Sequence, residues 1–234
     1  MKKHIPNFIT LLNLLSGCMA IVAVSETDLV LASWWIILAA IFDLLDGLTA
    51  RLLNAASEIG KQLDSLADVV SFGVAPGFIL YAMIGEAAGT GGFSFLAYAG
   101  FLIPLFSALR LAKFNIDPGQ KYDFIGLPTP VTALFILSIP IALDCSDVVI
   151  PWFNDLMTDY RMLVAIAVGL SALMVSPLHL FSLKFRSRLW QHNRGRIILI
   201  VAGLALFLTF RFASVPFTVL FYILLSQLKL NETN

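Results

Sequence analysis

The sequence predicts an all-α integral membrane protein, a bundle of about eight transmembrane helices read as one domain over residues 1–234. Two observations carry this. Hydrophobic residues fill 59% of the positions and charged residues only 13%, against about 25% charged in soluble domains, so much of the surface must face something other than water. A mean hydropathy of +0.89 repeats the message. The apolar residues also come in separate runs, and the charges are sorted between the connections that join them.

The runs are Phe8–Val24, Ala32–Leu53, Gln62–Ile84, Phe93–Leu111, Leu127–Leu143, Leu163–Leu183, Ile197–Phe212 and Val215–Leu228. A membrane helix needs about 20 mainly apolar residues; most runs meet that, and the last pair is short. The first run has a basic start, but Asn13 interrupts it and no small-x-small site ends it, so it reads as a span and not as a cleaved signal peptide. Gly73, Pro76, Gly77, Pro104, Pro128 and Pro130 punctuate the spans, as is common in membrane helices.

Net charge is zero, from 15 basic and 15 acidic side chains, but their placement is uneven. Lys2 and Lys3, Arg51 and Lys61, Arg110, Lys113 and Lys121, then Lys184, Arg186, Arg188, Arg194 and Arg196, and last Lys229 occupy the N-terminus, every second connection and the C-terminus. The alternate connections carry Glu26, Asp28, Glu86, Asp144, Asp147, Asp155 and Asp159, with only Arg161 and Arg211 among the basic residues on that side. Positive residues mark the cytoplasmic side, which predicts an even number of spans with both termini in the cytoplasm. The connection from Lys184 to Arg196 either marks topology or also holds anionic headgroups. Cys18 and Cys145 fall on a span and on a far-side loop, so no disulfide, zinc or redox pattern is expected. His4, His179 and His192 share no ligand spacing.

The informative stretch runs from Asp43 to Asp68. Asp43 and Asp46 share one face of the second helix, and Asp64 and Asp68 share one face of the third. With a short cytoplasmic connection between the helices, all four carboxylates fall within about two or three turns of the inner membrane surface. Four ionised carboxylates there would repel each other and cost several kcal/mol each to desolvate. Arg51 alone is too little compensation. Hard divalent cations suit an all-oxygen site, and magnesium or manganese typically binds carboxylates together with substrate phosphates. Gly47 and Ala50 leave room beside the cluster, Arg51 offers a fork that matches a phosphate, and Gly60 lies at a helix start whose free N–H groups favour anions. Acids that merely pair or cap within a bundle are the competing reading, but acids inside spans are rare and usually functional.

The pattern Asp43-x2-Asp46-Gly47-x2-Ala50-Arg51, eight residues, Gly60-x3-Asp64-x3-Asp68 resembles the full signature of the CDP-alcohol phosphatidyltransferases, with no departure at any signature position. The resemblance implies a six-span core, here followed by two C-terminal spans, in a homodimer within a bacterial-type inner membrane. It implies that Asp43, Asp46 and Asp64 hold two divalent metals, and that Asp68 is the general base and also approaches a metal. Gly47, Ala50, Arg51 and Gly60 would line the CDP pocket, with Ser65 beside them. Asn7 and Thr10 would reach the nucleotide or else serve a helix start.

Further stretches are similar to the serine-using branch of that family. They are Pro6-Asn7-x-Ile9-Thr10-x2-Asn13-x2-Ser16-Gly17, Leu63 to Pro76, Arg110 to Asn115, Gly126 to Pro130, and Met174 to Pro177. Members using glycerol phosphate or inositol phosphate often carry arginine where Asn13 stands. CDP-diacylglycerol and L-serine are therefore the expected substrates, with membrane lipids around the bundle and no nucleic acid partner. Serine is a zwitterion, and Arg110 is a candidate for its carboxylate, with Asn115 and Lys184 as further candidates; topology marking is the alternative for each. Two competitors stand beside this reading: the same chemistry on another acceptor such as glycerol 3-phosphate, or an ion-coupled transporter. Transport fits less well, because the acids gather near one membrane face and no inverted repeat is evident.

Overall fold

A computed structural model describes residues 4–55, 57–89, 95–116, 124–145, 150–180 and 194–228. The described residues are almost wholly helical. Helix α1 (His4–Ser25) is followed by α2 (Leu29–Leu52) and α3 (Glu58–Asp68), which continues through a π-helical turn at Val69–Val74 into α4 (Ala75–Ala87). A 3₁₀ segment, Phe95–Phe101, leads into α5 (Leu102–Ile116). Then come α6 (Thr129–Asp144), α7 (Pro151–Met157), α8 (Tyr160–Val175), α9 (Arg194–Phe210) and α10 (Ser214–Gln227).

Each of the eight apolar runs coincides with a helical stretch, but they are not equal. Among the described residues five stretches are long and apolar enough to cross a membrane, one of them Gly195–Gln227, which holds both α9 and α10, and α7 with α8 makes a sixth if that pair, bent by 73°, counts as one span. Helix α6 has 16 residues, about 24 Å at 1.5 Å per residue, short of the ~30 Å hydrocarbon core. Its side chains from Thr132 to Ala142 are mostly buried by the other helices, so it is the central post of the bundle. Helices α9 and α10 are separate arms. Arg211 adopts φ 49° between them, and a Cβ on Gly203 would lie 3.2 Å from Thr218 Cγ2 across the hairpin. The expected span to Leu183 is cut short at Val175: Ser176 is extended (ψ 152°), as the residue before Pro177 prefers.

Local chemistry sets the other turns. Asp28 caps α2 by accepting from Leu31 N at 2.8 Å, and Asp159 caps α8 by accepting from Arg161 N at 2.8 Å. Pro151 opens α7, and Pro130 lies in the first turn of α6; both are sites where a missing N–H costs nothing. A two-residue antiparallel ladder pairs β1 (Phe124–Ile125) with β2 (His179–Leu180). Gly126, at φ 76°, extends this tie: its N–H donates to Leu178 O at 2.9 Å. A side chain there would overlap the carbonyl of Met174.

The core is a continuous cluster that includes Ala20, Ile36, Phe72, Ile79, Ile136 and Ala167. Many exposed apolar side chains, such as Phe8, Leu44, Leu105, Val201 and Leu208, lie where a bilayer would cover them. Cys18 and Cys145 are free thiols.

Candidate active site

The turn between α2 and α3 brings the two carboxylate pairs together. Asn54 takes the left-handed conformation, φ 48°, and Ala55 N donates back to Ala50 O at 2.9 Å. This is the Schellman arrangement that ends a helix sharply. Two residues on, Ser57 starts α3: its Oγ accepts from Gly60 N at 3.1 Å. Glu58 in the first turn suits the helix dipole. The chain therefore reverses in a few residues, and the inner faces of α2 and α3 meet.

At that meeting Asp43, Asp64 and Asp68 each offer a carboxylate oxygen, all within 4.8 Å of one another. All three are partly buried. Three converging oxygens with no neutral donor among them form a hard-cation donor set, and the group can hold a metal ion. Asp46 is buried beside them, 6% exposed. Its Oδ2 accepts from Thr10 Oγ1 at 2.6 Å, and Thr10 also donates to Pro6 O at 3.1 Å. Thr10 thus reaches the acid cluster itself, a role beyond the two foreseen for it.

Helix α1 lies along α2 and also packs on α3 and the π turn. Thr10 and Asn13 share its inner face. Asn13 is fully buried. Its Nδ2 donates to Asp68 Oδ1 at 3.4 Å, and its main-chain oxygen accepts from Ser71 Oγ at 3.0 Å. The sequence used Asn13 to choose a branch and did not place it beside Asp68. The available signal was an amide in an otherwise apolar span, three residues from Thr10 on the same face.

The nucleotide candidates surround the mouth of the same α2–α3 corner. Gly47 has open space beside it: a Cβ there would meet no heavy atom within 4 Å, so packing does not demand the glycine. Gly60 is tight, since a Cβ would stand 3.0 Å from Asn7 Oδ1, which brings the starts of α1 and α3 together. The N–H of Gly60 that helix-start geometry offered to an anion is taken by the Ser57 cap. Arg51 is exposed at the end of α2, one residue after Ala50. Ser65 accepts from Asn115 Nδ2 at 2.8 Å and donates to Lys61 O at 3.2 Å.

Among the acceptor candidates, Arg110 is 8% exposed. It donates through Nη1 to Thr129 Oγ1 at 3.4 Å and interacts electrostatically with Asp68 and Tyr222. Asn115 is tied to Ser65 and sits on the α3 side. Lys184 lies outside the described residues, with most of the basic connection before α9.

The sequence model of the CDP-alcohol phosphatidyltransferase family matches residues 3–175, a stretch that holds the whole carboxylate cluster and the helices around it. The chain belongs to the CDP-alcohol phosphatidyltransferase family. Helices α9 and α10 follow the matched stretch, where two later spans were expected and one candidate span, Gly195–Gln227, is found among the described residues.

Relatives within the family share part of the chain. A CDP-diacylglycerol–serine O-phosphatidyltransferase of Helicobacter pylori (strain J99) is 41% identical over 134 residues, 56% of this chain and 55% of the relative. One of Bacillus subtilis is 36% identical over 139 residues, 58% of this chain and 74% of the relative. One of Methanocaldococcus jannaschii is 33% identical over 174 residues, 74% of this chain and 72% of the relative. The matched stretch thus spans about half the length of the Helicobacter relative and nearly three quarters of the other two.

Proposed function

We propose that this membrane protein transfers the phosphatidyl group of CDP-diacylglycerol to the hydroxyl of L-serine, giving phosphatidylserine and CMP. The observation that carries the reading is the convergence of Asp43, Asp64 and Asp68 within 4.8 Å in a chain that belongs to this family. Relatives named for serine transfer support the choice of acceptor.

Asp43, Asp46, Asp64 and Asp68 would hold two divalent ions, magnesium or manganese. The chemistry these ions supply when bound is neutralisation of the diphosphate and of the departing CMP. Thr10 keeps the Asp46 carboxylate oriented. Gly47, Ala50, Arg51, Gly60, Ser65, Asn7 and Thr10 form the nucleotide side: the first two leave space, and Arg51 supplies charge for a phosphate. Asp68 takes the proton from the serine hydroxyl as its oxygen bonds to the phosphatidyl phosphorus. The bond from that phosphorus to the CMP oxygen breaks, and CMP leaves with the electron pair. Arg110 binds the serine carboxylate, Lys184 is the remaining acceptor-side candidate, and Asn115, bonded to Ser65, joins the nucleotide side instead.

The acyl chains stay in the bilayer against the apolar helix faces. Residues 1–234 act as one domain of a homodimer in a cytoplasmic membrane, with both termini and the reaction centre on the cytoplasmic side, as the basic connections direct. The test is an acceptor panel. Purified protein is incubated with labelled CDP-diacylglycerol, magnesium or manganese, and one alcohol at a time. Serine-dependent CMP release with phosphatidylserine as product is expected. Phosphatidylglycerophosphate formed from glycerol 3-phosphate, with serine inert, would overturn the acceptor.

A further inference from the structure

Three polar atoms without a hydrogen-bond partner are buried around the turn that follows Asp68: Asn13 Oδ1 on α1, and Ser107 Oγ and Arg110 Nε on α5. Buried polar groups are nearly always paired, and each orphan costs free energy. A cluster of them calls for a reason. The backbone at this point is itself irregular, because the π-helical turn at Val69–Val74 begins directly after Asp68, and such turns often accompany functional sites. Ser71 in that turn donates to Asn13 O, and a Cβ on Gly73 would lie 3.0 Å from Ser107 Oγ. The π turn therefore joins the two sides of the cluster. Ser107 and Arg110 are three residues apart and share one face of α5.

The orientation of the Asn13 amide follows from Asp68. With Asp68 ionised, as a base must be, its carboxylate only accepts hydrogen bonds, and the side of Asn13 that faces it is Nδ2, at 3.4 Å. The carbonyl oxygen is then turned away from the carboxylate, fully buried and unpaired. Arg110, also buried, spends Nη1 on Thr129, keeps Nε unpaired, and interacts electrostatically with Asp68. One orphan acceptor and one orphan cationic donor thus flank the proposed base.

We propose that Asn13 completes the acceptor subsite: its Oδ1 receives the α-ammonium of a free amino acid whose carboxylate is held by Arg110 and whose hydroxyl faces Asp68. The inference rests on the serine reading above and adds the group that recognises the ammonium. Asn13 then has two functions at one amide, Nδ2 steadying the base and Oδ1 selecting a zwitterion over a plain hydroxy acid. A site built to hydrogen-bond a substrate group rejects analogues that lack it far more strongly than apolar contact can.

The test compares L-serine with 3-hydroxypropanoate, which keeps hydroxyl and carboxylate and lacks only the ammonium. In the unmodified protein kcat/KM for 3-hydroxypropanoate should be lower by at least about a hundredfold. Asn13→Leu, close in volume, should raise the serine KM at least about tenfold and shrink the serine/3-hydroxypropanoate ratio towards one, with CDP-diacylglycerol binding retained. A purely structural Asn13 would leave that ratio unmoved, and an unmoved ratio in a variant that still binds CDP-diacylglycerol overturns the proposal. Equal use of the two acceptors by the unmodified protein overturns it without any variant, so a failure of Asn13→Leu to fold does not shield it. If the unmodified protein makes no phosphatidylserine but transfers to another alcohol, the acceptor reading itself falls, and the changed product lipid distinguishes that outcome.

Discussion

Asn115 Nδ2 donates to Ser65 Oγ across 2.8 Å, so the end of α5 is fastened to the helix that carries Asp64 and Asp68. The link is reinforced from α3, where Lys61 Nζ donates to the main-chain oxygen of Asn115 at 3.4 Å. These bonds direct Asn115 toward Ser65, on the side proposed for the nucleotide. Asn115→Ala should raise the KM for CDP-diacylglycerol about fivefold, the worth of one neutral hydrogen bond, and leave the serine KM within twofold. The converse pattern in steady-state kinetics would return Asn115 to the acceptor pocket.

Thr10 restrains a carboxylate proposed to bind metal. Removing a hydrogen bond to a charged group costs about 1.5–3 kcal/mol. Thr10→Val keeps the shape and should therefore raise the magnesium concentration needed for half-maximal activity by about tenfold or more. The change also leaves a buried Asp46 oxygen unpaired, so some loss of stability accompanies it, and helical circular dichroism checks that the variant folds. A magnesium titration identical to that of the unmodified protein would remove Thr10 from the metal site.

The carboxylate cluster was legible in sequence because its information is local. Spacings of three and four residues put each pair on one helix face, and a short connection forces the two helices to be neighbours. What sequence could not supply was the third wall. That Thr10 meets Asp46 and Asn13 meets Asp68 depends on how α1 lies across both helices, a long-range packing choice with no local spacing to announce it. The span count illustrates another limit. Hydropathy gave Leu127–Leu143 the same weight as lipid-facing runs, although α6 is short and enclosed by protein, because apolar side chains look alike whether they face lipid or other helices. The bend between α7 and α8 was hidden for the same reason.

The aspartates should separate by role. Asp43→Asn or Asp64→Asn should weaken metal activation and CDP-diacylglycerol binding together. Asp68→Asn should spare CDP-diacylglycerol binding more but lower kcat by 10²-fold or more, the usual contribution of a positioned base. Near-normal turnover by Asp68→Asn would mean that the proton leaves by another route.

Close helix packing on the far side of the bundle predicts a stability effect independent of chemistry. A Cβ on Gly100 would stand 2.7 Å from Gly77 O and 2.7 Å from Tyr81 N, both backbone atoms that cannot turn aside. Gly100→Ala should cost about 1–3 kcal/mol, as overpacking typically does, and lower Tm in detergent by several degrees. An unchanged melting temperature would show that α4 and the Phe95–Phe101 segment are further apart than described.

Mn2+ binding decides whether Asp43, Asp64 and Asp68 form the proposed divalent-metal centre. Titration of chelator-treated protein with Mn2+, with the free ion followed by electron paramagnetic resonance, should show tight uptake in the unmodified chain. That uptake should strengthen with CDP-diacylglycerol, whose phosphates add oxygen ligands. The Asp43→Asn/Asp64→Asn/Asp68→Asn variant should lose the tight uptake while retaining its helical circular dichroism. Equal Mn2+ uptake by the unmodified chain and a folded variant would contradict the account.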